Sequence, residues 1–227
     1  EYRSEDQIRN LIAQQLNIVK TLHDEGIAHH DFSLTNFLLC EDGSQKLVDF
    51  GQAVRVHSPD ADYDEALVCI KRQGHPGKPD HLPPEFLWNF ASNGTCVGME
   101  YSAKKMDVFQ IGVGLSRLLA RRPLYDAPKF REVCGSGSLL FPPEGSESGR
   151  CQGIRQWLRS HSMNIEHVSD DCLDFLECML APNWKKRPSI DEALAHPWIA
   201  HGPGTASTSH LTGQEDWRVE YYRKKIS

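Results

Sequence analysis

The apolar positions near the start of the chain fall on one helical face. Ile8, Leu11, Ile12, Leu16, Val19 and Leu22 recur every three or four residues, the period of a helix with one buried side. Ser4 precedes the run and Gln7 stands three residues on, the reciprocal pair that satisfies first-turn N–H groups. Gly26 is placed to end the helix. Two short apolar runs follow, "NFLLC" and "QKLVDF", joined by "EDGS". Asp42-Gly43 is a hairpin turn signal. Residues 52–84 show no period and hold several Gly and Pro, which predicts a long loop.

At Asp107 the pattern changes to "DVFQIGVGLSRLLARR", apolar almost all round. Such a helix is predicted to be central and buried. Another is predicted from near Ser169, carrying Leu173, Phe175, Leu176, Met179 and Leu180. A further one opens at "SIDEAL", where Ser189 and Glu192 repeat the capping pair. Gly135 to Gly149 is rich in Gly, Ser and Pro and reads as an insertion loop. Residues 201–213 read as a linker, and "EDWRVEYYRKKIS" as a short docking helix around Trp217 and Tyr221. The fold class is mainly α with short β-hairpins: one domain over residues 1–200, then a C-terminal segment over 201–227.

Composition narrows the partners. The chain has 227 residues and a formal net charge of −6, enough for one sizeable core. It gives no electrostatic reason to expect nucleic acid or an anionic membrane. Seven cysteines are scattered with no C-x-x-C pair. That argues against a zinc site and for free thiols in a reducing compartment. No apolar run approaches the roughly eighteen residues of a membrane span. The expected location is intracellular and cytoplasmic.

A set of short motifs carries the chemistry: "HHD" at 29–31 with Asn36 five residues after Asp31, "DFG" at 49–51, "PPE" at 83–85, "DVF" at 107–109, and "RPS" at 187–189 leading to "HPW" at 196–198. Each is weak alone. In this order, over residues 5 to 199, the chain resembles the C-terminal lobe of a eukaryotic protein kinase. The resemblance implies that Asp31 orients the substrate hydroxyl, and that Asn36 and Asp49 bind Mg²⁺ against the phosphates of ATP. Their hard oxygens suit that ion. Gly51 lets the backbone turn beside the nucleotide, and Phe50 and His29 are implied packing residues. Glu85 is implied to pair with Arg187, and Asp107 to hydrogen-bond the catalytic-loop backbone.

Four departures matter. His30 stands where the family has an arginine that binds a phosphorylated activation loop, and a largely neutral imidazole is a poor substitute. The segment from Asp49 to Glu85 offers few acceptors, chiefly Ser58 and Tyr63, so phosphorylation there is not expected to switch the protein. Ser33 replaces the catalytic-loop lysine, while Lys78 replaces the threonine that follows a glycine before "PPE". The two side chains read as exchanged, with Lys78 expected to reach Asp31, as in similar variants among protist kinases. The interval from Glu85 to Asp107 is longer than usual, and residues 89–100 read as an added surface loop. Nothing before Asp31 resembles the Gly-rich loop, strand lysine or helix glutamate of a kinase N-lobe, so the N-lobe is expected to be absent from this chain.

The implied function is a Ser/Thr protein kinase using ATP and Mg²⁺, with Asp31, Ser33 and Lys78 as catalytic residues and Asn36, Asp49 and Gly51 at the nucleotide. The implied partners are a protein substrate or partner protein, and an N-lobe or another subunit over the nucleotide face. The alternative is a non-catalytic, kinase-like scaffold.

Overall fold

The computed structural model describes residues 4–56, 67–71, 74–121, 123–124, 152–161 and 168–200. Ser58, Tyr63, the insertion predicted at Gly135 to Gly149, the 201–213 linker and the terminal helix around Trp217 and Tyr221 lie outside the described residues. Helix α1, Glu5–Asp24, forms where its apolar face predicts it. The Ser4 hydroxyl accepts from the Gln7 N–H at 3.2 Å, and the Ser4 N–H donates to Gln7 Oε1 at 2.9 Å. Gly26 takes φ +67° just beyond the end, where glycine meets no steric penalty. Ile12, Leu16 and Val19 are buried, each contributing about 1.5–3 kcal/mol relative to exposure.

The described residues hold six short strands: β1 Ile27–Ala28, β2 Phe37–Leu39, β3 Gln45–Leu47, β4 Val54–Arg55, β5 Leu67–Cys69 and β6 Glu100–Ser102. They form three antiparallel pairs, β1 with β4, β2 with β3, and β5 with β6. The β2–β3 pair is the predicted hairpin, turned at Gly43 with φ +81°. The loop expected over 52–84 in fact holds β4, β5 and a 3₁₀ turn at Pro79–His81. Strands of two or three residues are too short to show a period, and both find partners distant in sequence: Ala28 faces Val54, and Val68 faces Tyr101.

Helix α2, Pro84–Asn93, corrects the surface-loop reading of residues 89–100. Residues 89–93 continue the helix, Gly94 ends it at φ +69°, Cys96 is buried, and Glu100 opens β6. The Pro83-Pro84 start disguises this helix, although proline is favoured at a first helical position. Helix α3, Ala103–Ala120, begins one turn before Asp107. The Ser102 hydroxyl caps it by accepting from the Lys105 N–H at 3.3 Å. Lys104 and Lys105 stand in its first turn and are both buried, and Lys105 Nζ donates to the Arg187 carbonyl at 2.5 Å.

Every residue from Ala103 to Ser116 is buried. Around α3 pack α1, α4 (Gln152–His161, not anticipated) and α5 (Asp170–Met179), with α6 (Ile190–Ala195) and α7 (Pro197–Ala200) completing the layer. Gly112 permits a close crossing, since a Cβ there would lie 2.9 Å from Met179 Cβ. The Glu5 carboxylate ties α1 to the C-terminal helices. It accepts from the Ser169 N–H (2.7 Å), the Ser169 hydroxyl (2.6 Å) and the Trp198 indole N–H (2.8 Å). Among the described residues no helix is long and apolar enough to cross a membrane.

Candidate active site

The loop from His29 to Asn36 is held from beneath by α3. Asp107, wholly buried, accepts from the His29 N–H (2.9 Å), the His30 N–H (2.8 Å) and the His23 ring (2.9 Å). Burial alone would push its carboxyl up. The hydrogen bond from His23 and the neighbouring histidine charges outweigh that and hold it below the ordinary carboxylate value. One turn on, Gln110 grips both flanks of Asp31: its Oε1 accepts from the Phe32 N–H and its Nε2 donates to the His30 carbonyl, each at 2.9 Å. His30 itself has φ +69°. A non-glycine residue there costs on the order of 1–3 kcal/mol and persists only where its surroundings impose it.

His29 is buried in this base. Its Nδ1 accepts from the Asp31 N–H at 3.2 Å, so the neutral ring donates from Nε2 to the Val48 carbonyl at 3.3 Å. Burial lowers its pKa, in keeping with a neutral ring. Phe50 packs edge-on against it at 4.8 Å.

Three side-chain oxygens on Asn36, Asp31 and Asp49 are only partly engaged. Asn36 Nδ2 donates to Asp31 Oδ2 (3.0 Å) and to the Asp31 carbonyl (2.7 Å), which leaves the Asn36 Oδ1 as a hard ligand atom. Asp31 Oδ1 is buried, with no hydrogen-bond partner among the described residues. Asp49, at φ +63°, is exposed and accepts only from the Gly51 N–H, at 3.3 Å. A side chain on Gly51 would crowd that oxygen, with its Cβ at 3.2 Å. Amide and carboxylate oxygens of this kind are hard donors that suit a divalent cation of the Mg²⁺ type.

Lys78 lies beside the loop, but not where the sequence put it. Its Nζ donates to the hydroxyls of Ser33 and Thr35, each at 2.5 Å, and those hydroxyls are 2.9 Å apart. Among the described residues no ion pair within 4.0 Å joins Lys78 to Asp31. The expectation of a direct contact is corrected: the two hydroxyls intercept the ammonium first. Thr35 went unforeseen, because it lies in a 3₁₀ turn, Leu34–Asn36, that follows the extended Ser33.

Beneath the site, Arg187 and Glu85 form a bidentate pair at 2.8 and 2.5 Å, with the guanidinium also over the Phe109 ring at 4.8 Å. His30 is sealed in, its Nε2 3.3 Å from the Tyr101 hydroxyl. Burial drives its pKa down to about 4 against the opposing charge of Asp107. Tyr101, Gln110 and His23 had no local signal, since each acts across more than seventy residues of chain.

A second cluster, Asp174, Cys178 and His196, brings ligand-type atoms within 4.8 Å of one another. His196 Nδ1 accepts from the Trp198 N–H at 3.2 Å, so the neutral ring carries its proton on Nε2, facing Asp174 at 3.2 Å. A metal at Nε2 would require a proton on Nδ1, pointed at another donor. The arrangement is a hydrogen-bonded pair rather than a ligand set.

An aspartate with a free oxygen, an amide and second aspartate suited to Mg²⁺, and a bidentate Glu–Arg brace below define a protein-kinase-type domain. The protein kinase domain model matches residues 1–199, and the chain belongs to that family. It is 28% identical over 207 residues to cyclin-dependent kinase 12 of Caenorhabditis elegans, covering 86% of this chain and 26% of that protein. It is 29% identical over 204 residues to the dual specificity protein kinase Ttk of Danio rerio, covering 89% and 18%. To the serine/threonine-protein kinase PSK2 of Saccharomyces cerevisiae it is 26% identical over 196 residues, covering 86% and 14%. The chain spans at most about a third of the length of the first curated relatives it matches.

Proposed function

We propose that this chain carries the helix-rich lobe of a Ser/Thr protein kinase, which transfers the γ-phosphoryl of ATP to a protein hydroxyl once an N-lobe or another subunit covers its nucleotide face. The observation that carries this reading is the buried, unpartnered Asp31 Oδ1. A buried acceptor left open costs about 1–3 kcal/mol, and a substrate hydroxyl is the donor that would complete it. Asp31 then orients that hydroxyl and takes its proton as the phosphoryl is transferred. Asn36 fixes the other Asp31 oxygen and, with Asp49, offers oxygens to Mg²⁺. Magnesium, when bound, supplies charge neutralisation at the phosphates. Lys78 returns to the loop the positive charge that Ser33 lacks, held there through the Ser33 and Thr35 hydroxyls.

Exposed Leu38 (52%) and Leu39 (55%) on β2 support a covering partner, since apolar side chains beside a ligand site favour burial. The free thiols at Cys40, Cys69, Cys96, Cys172 and Cys178 support a reducing, cytoplasmic setting. The same exposed face favours a second reading, a scaffold that engages its partner without chemistry.

The test is Mg-ATP binding and phosphoryl transfer by the protein bearing its N-lobe or covering subunit. Nucleotide at 100 times its Kd should stabilise the fold by about 2.7 kcal/mol. Asp49→Asn should remove that stabilisation, and Asp31→Asn should keep it while losing transfer. Partner binding with neither nucleotide binding nor transfer would establish the scaffold reading instead.

A further inference from the structure

Strand β6 lies between two parts of the molecule that must be held together. On one side it pairs with β5, which belongs to the segment between Asp49 and Glu85: Leu67 faces Ser102, Val68 faces Tyr101 and Cys69 faces Glu100. On the other side the Tyr101 side chain turns inward. It is 3% exposed, lies edge-on to Phe86 at 4.8 Å, and sets its hydroxyl 3.3 Å from His30 Nε2. The two rings are 5.5 Å apart. His30 is the residue before Asp31, and its backbone is in the left-handed region. Anything that fixes its ring therefore fixes the peptide that aims the Asp31 carboxylate.

The described parts of the 49–85 segment are tied in elsewhere by charged and by neutral contacts: the Lys78 ammonium donates to the Ser33 and Thr35 hydroxyls, Asp80 lies 3.5 Å from Arg117, and Glu85 pairs with Arg187. β4 pairs with β1. Gln52 Oε1 accepts from the Gly77 N–H at 2.5 Å, joining the start of the segment to its end. Gly77 then lies so close to the loop that a Cβ would be 2.6 Å from the His30 carbonyl oxygen and 2.7 Å from Gln110 Nε2. The neutral links are strand hydrogen bonds, an amide on a backbone N–H, and a hydroxyl on an imidazole. The last two meet at His30.

We propose that Tyr101 is a positioning residue for Asp31, acting through His30, and that β6 thereby couples the 49–85 segment to the catalytic loop without any phosphate. The proposal rests on the kinase reading for its catalytic consequence but not for its structural one. Tyr101 touches neither substrate nor nucleotide. Its hydroxyl gives the buried imidazole a partner for Nε2, beside a hydrogen bond to the Gln52 backbone, with the charge of Asp107 below and the rings of His29 and His23 nearby. Without the hydroxyl, His30 keeps its packing and its hydrogen bond to the Gln52 backbone but loses the contact at Nε2 that ties its ring to β6.

The experiment compares wild type with Tyr101→Phe, which keeps the ring against Phe86. Amide exchange followed by mass spectrometry on this chain should show residues 29–33 and 67–69 exchanging roughly ten times faster in the variant, while α5 is unchanged. Unchanged exchange at 29–33, or faster exchange throughout the molecule, would overturn the proposal. The second arm uses the protein with its nucleotide face covered. There kcat should fall about ten-fold with KM for ATP held within about two-fold, and addition of His30→Asn should cost little more, because the two act as one unit. An unchanged kcat, or additive losses, would overturn it. If the wild type transfers no phosphoryl, the kinase reading fails, and the exchange arm alone decides the role of Tyr101.

Discussion

Asp107 and Asp31 sit on opposite sides of one short loop, and both are buried, at 0% and 6% exposure. Their oxygens are treated very differently. Those of Asp107 accept from two backbone N–H groups and a histidine ring. Asp31 has one oxygen on Asn36 and the other on nothing. Below the loop the protein supplies its own donors, and above it leaves an acceptor open. A buried polar group is normally paired. The difference therefore marks one carboxylate as part of the support and the other as waiting for a ligand. The support carries the backbone strain at His30 so that the face above can stay incomplete.

The strongest way to break this comparison is at the base. Asp107→Asn puts an amide NH₂ where donors already point, and removes the charge that draws three of them together. It should destabilise the fold by about 3–5 kcal/mol, read from the midpoint of urea unfolding. A loss below about 1 kcal/mol, the worth of one ordinary hydrogen bond, would mean that Asp107 does not carry the loop.

The next effect is in pH. His30 is held neutral, with a pKa of about 4 against an ordinary 6.5. Between those values the unfolded imidazole takes a proton that the folded one refuses. Stability from this residue is therefore complete above pH 6.5 and is lost progressively as pH falls toward 4, by at most about 3 kcal/mol. His29 is shifted in the same direction by its burial. The groups facing His30 are Asp107 from α3, His23 from α1, neighbouring His29 and Tyr101 from β6. Unfolding followed from pH 7 to 5 should show the decline, and His30→Asn should flatten it by close to one proton. A level profile in the wild type would show that the base is not closed to water.

Much of this base could be read from sequence because its determinants are local or carried by motifs. The capping pairs at Ser4 and Ser189 need only their own first turns. Asp107, Glu85 and Arg187 each stand in a short motif, and the structure puts Asp107 on the loop backbone and Glu85 on Arg187. What escaped depends on distant partners. The turn of α3 before Asp107 is one example, because nothing local shows that Lys104 and Lys105 are buried or that Lys105 meets the Arg187 carbonyl. Tyr101 reads as one more aromatic in a loop until β5 is seen against β6. Lys78 was placed near the right loop, but choosing between a carboxylate and two hydroxyls takes side-chain distances that spacing does not hold.

The smallest effect on stability belongs to the residue proposed to take the substrate's proton. Asp31→Asn removes a charge whose Oδ1 has no partner, so little native interaction is lost. The exchange keeps size and shape and alters only the contact with Asn36 Nδ2. Stability should change by no more than about 1 kcal/mol, the worth of that one hydrogen bond, and a gain would not be surprising where an unpaired buried group is neutralised. Phosphoryl transfer should nevertheless be lost, because the amide cannot take the proton of the substrate hydroxyl. Measured together on one preparation, the pair of results separates the two carboxylates. A large loss of stability would make Asp31 another part of the support. Retained transfer would mean that the open oxygen at the face of the site serves some other ligand.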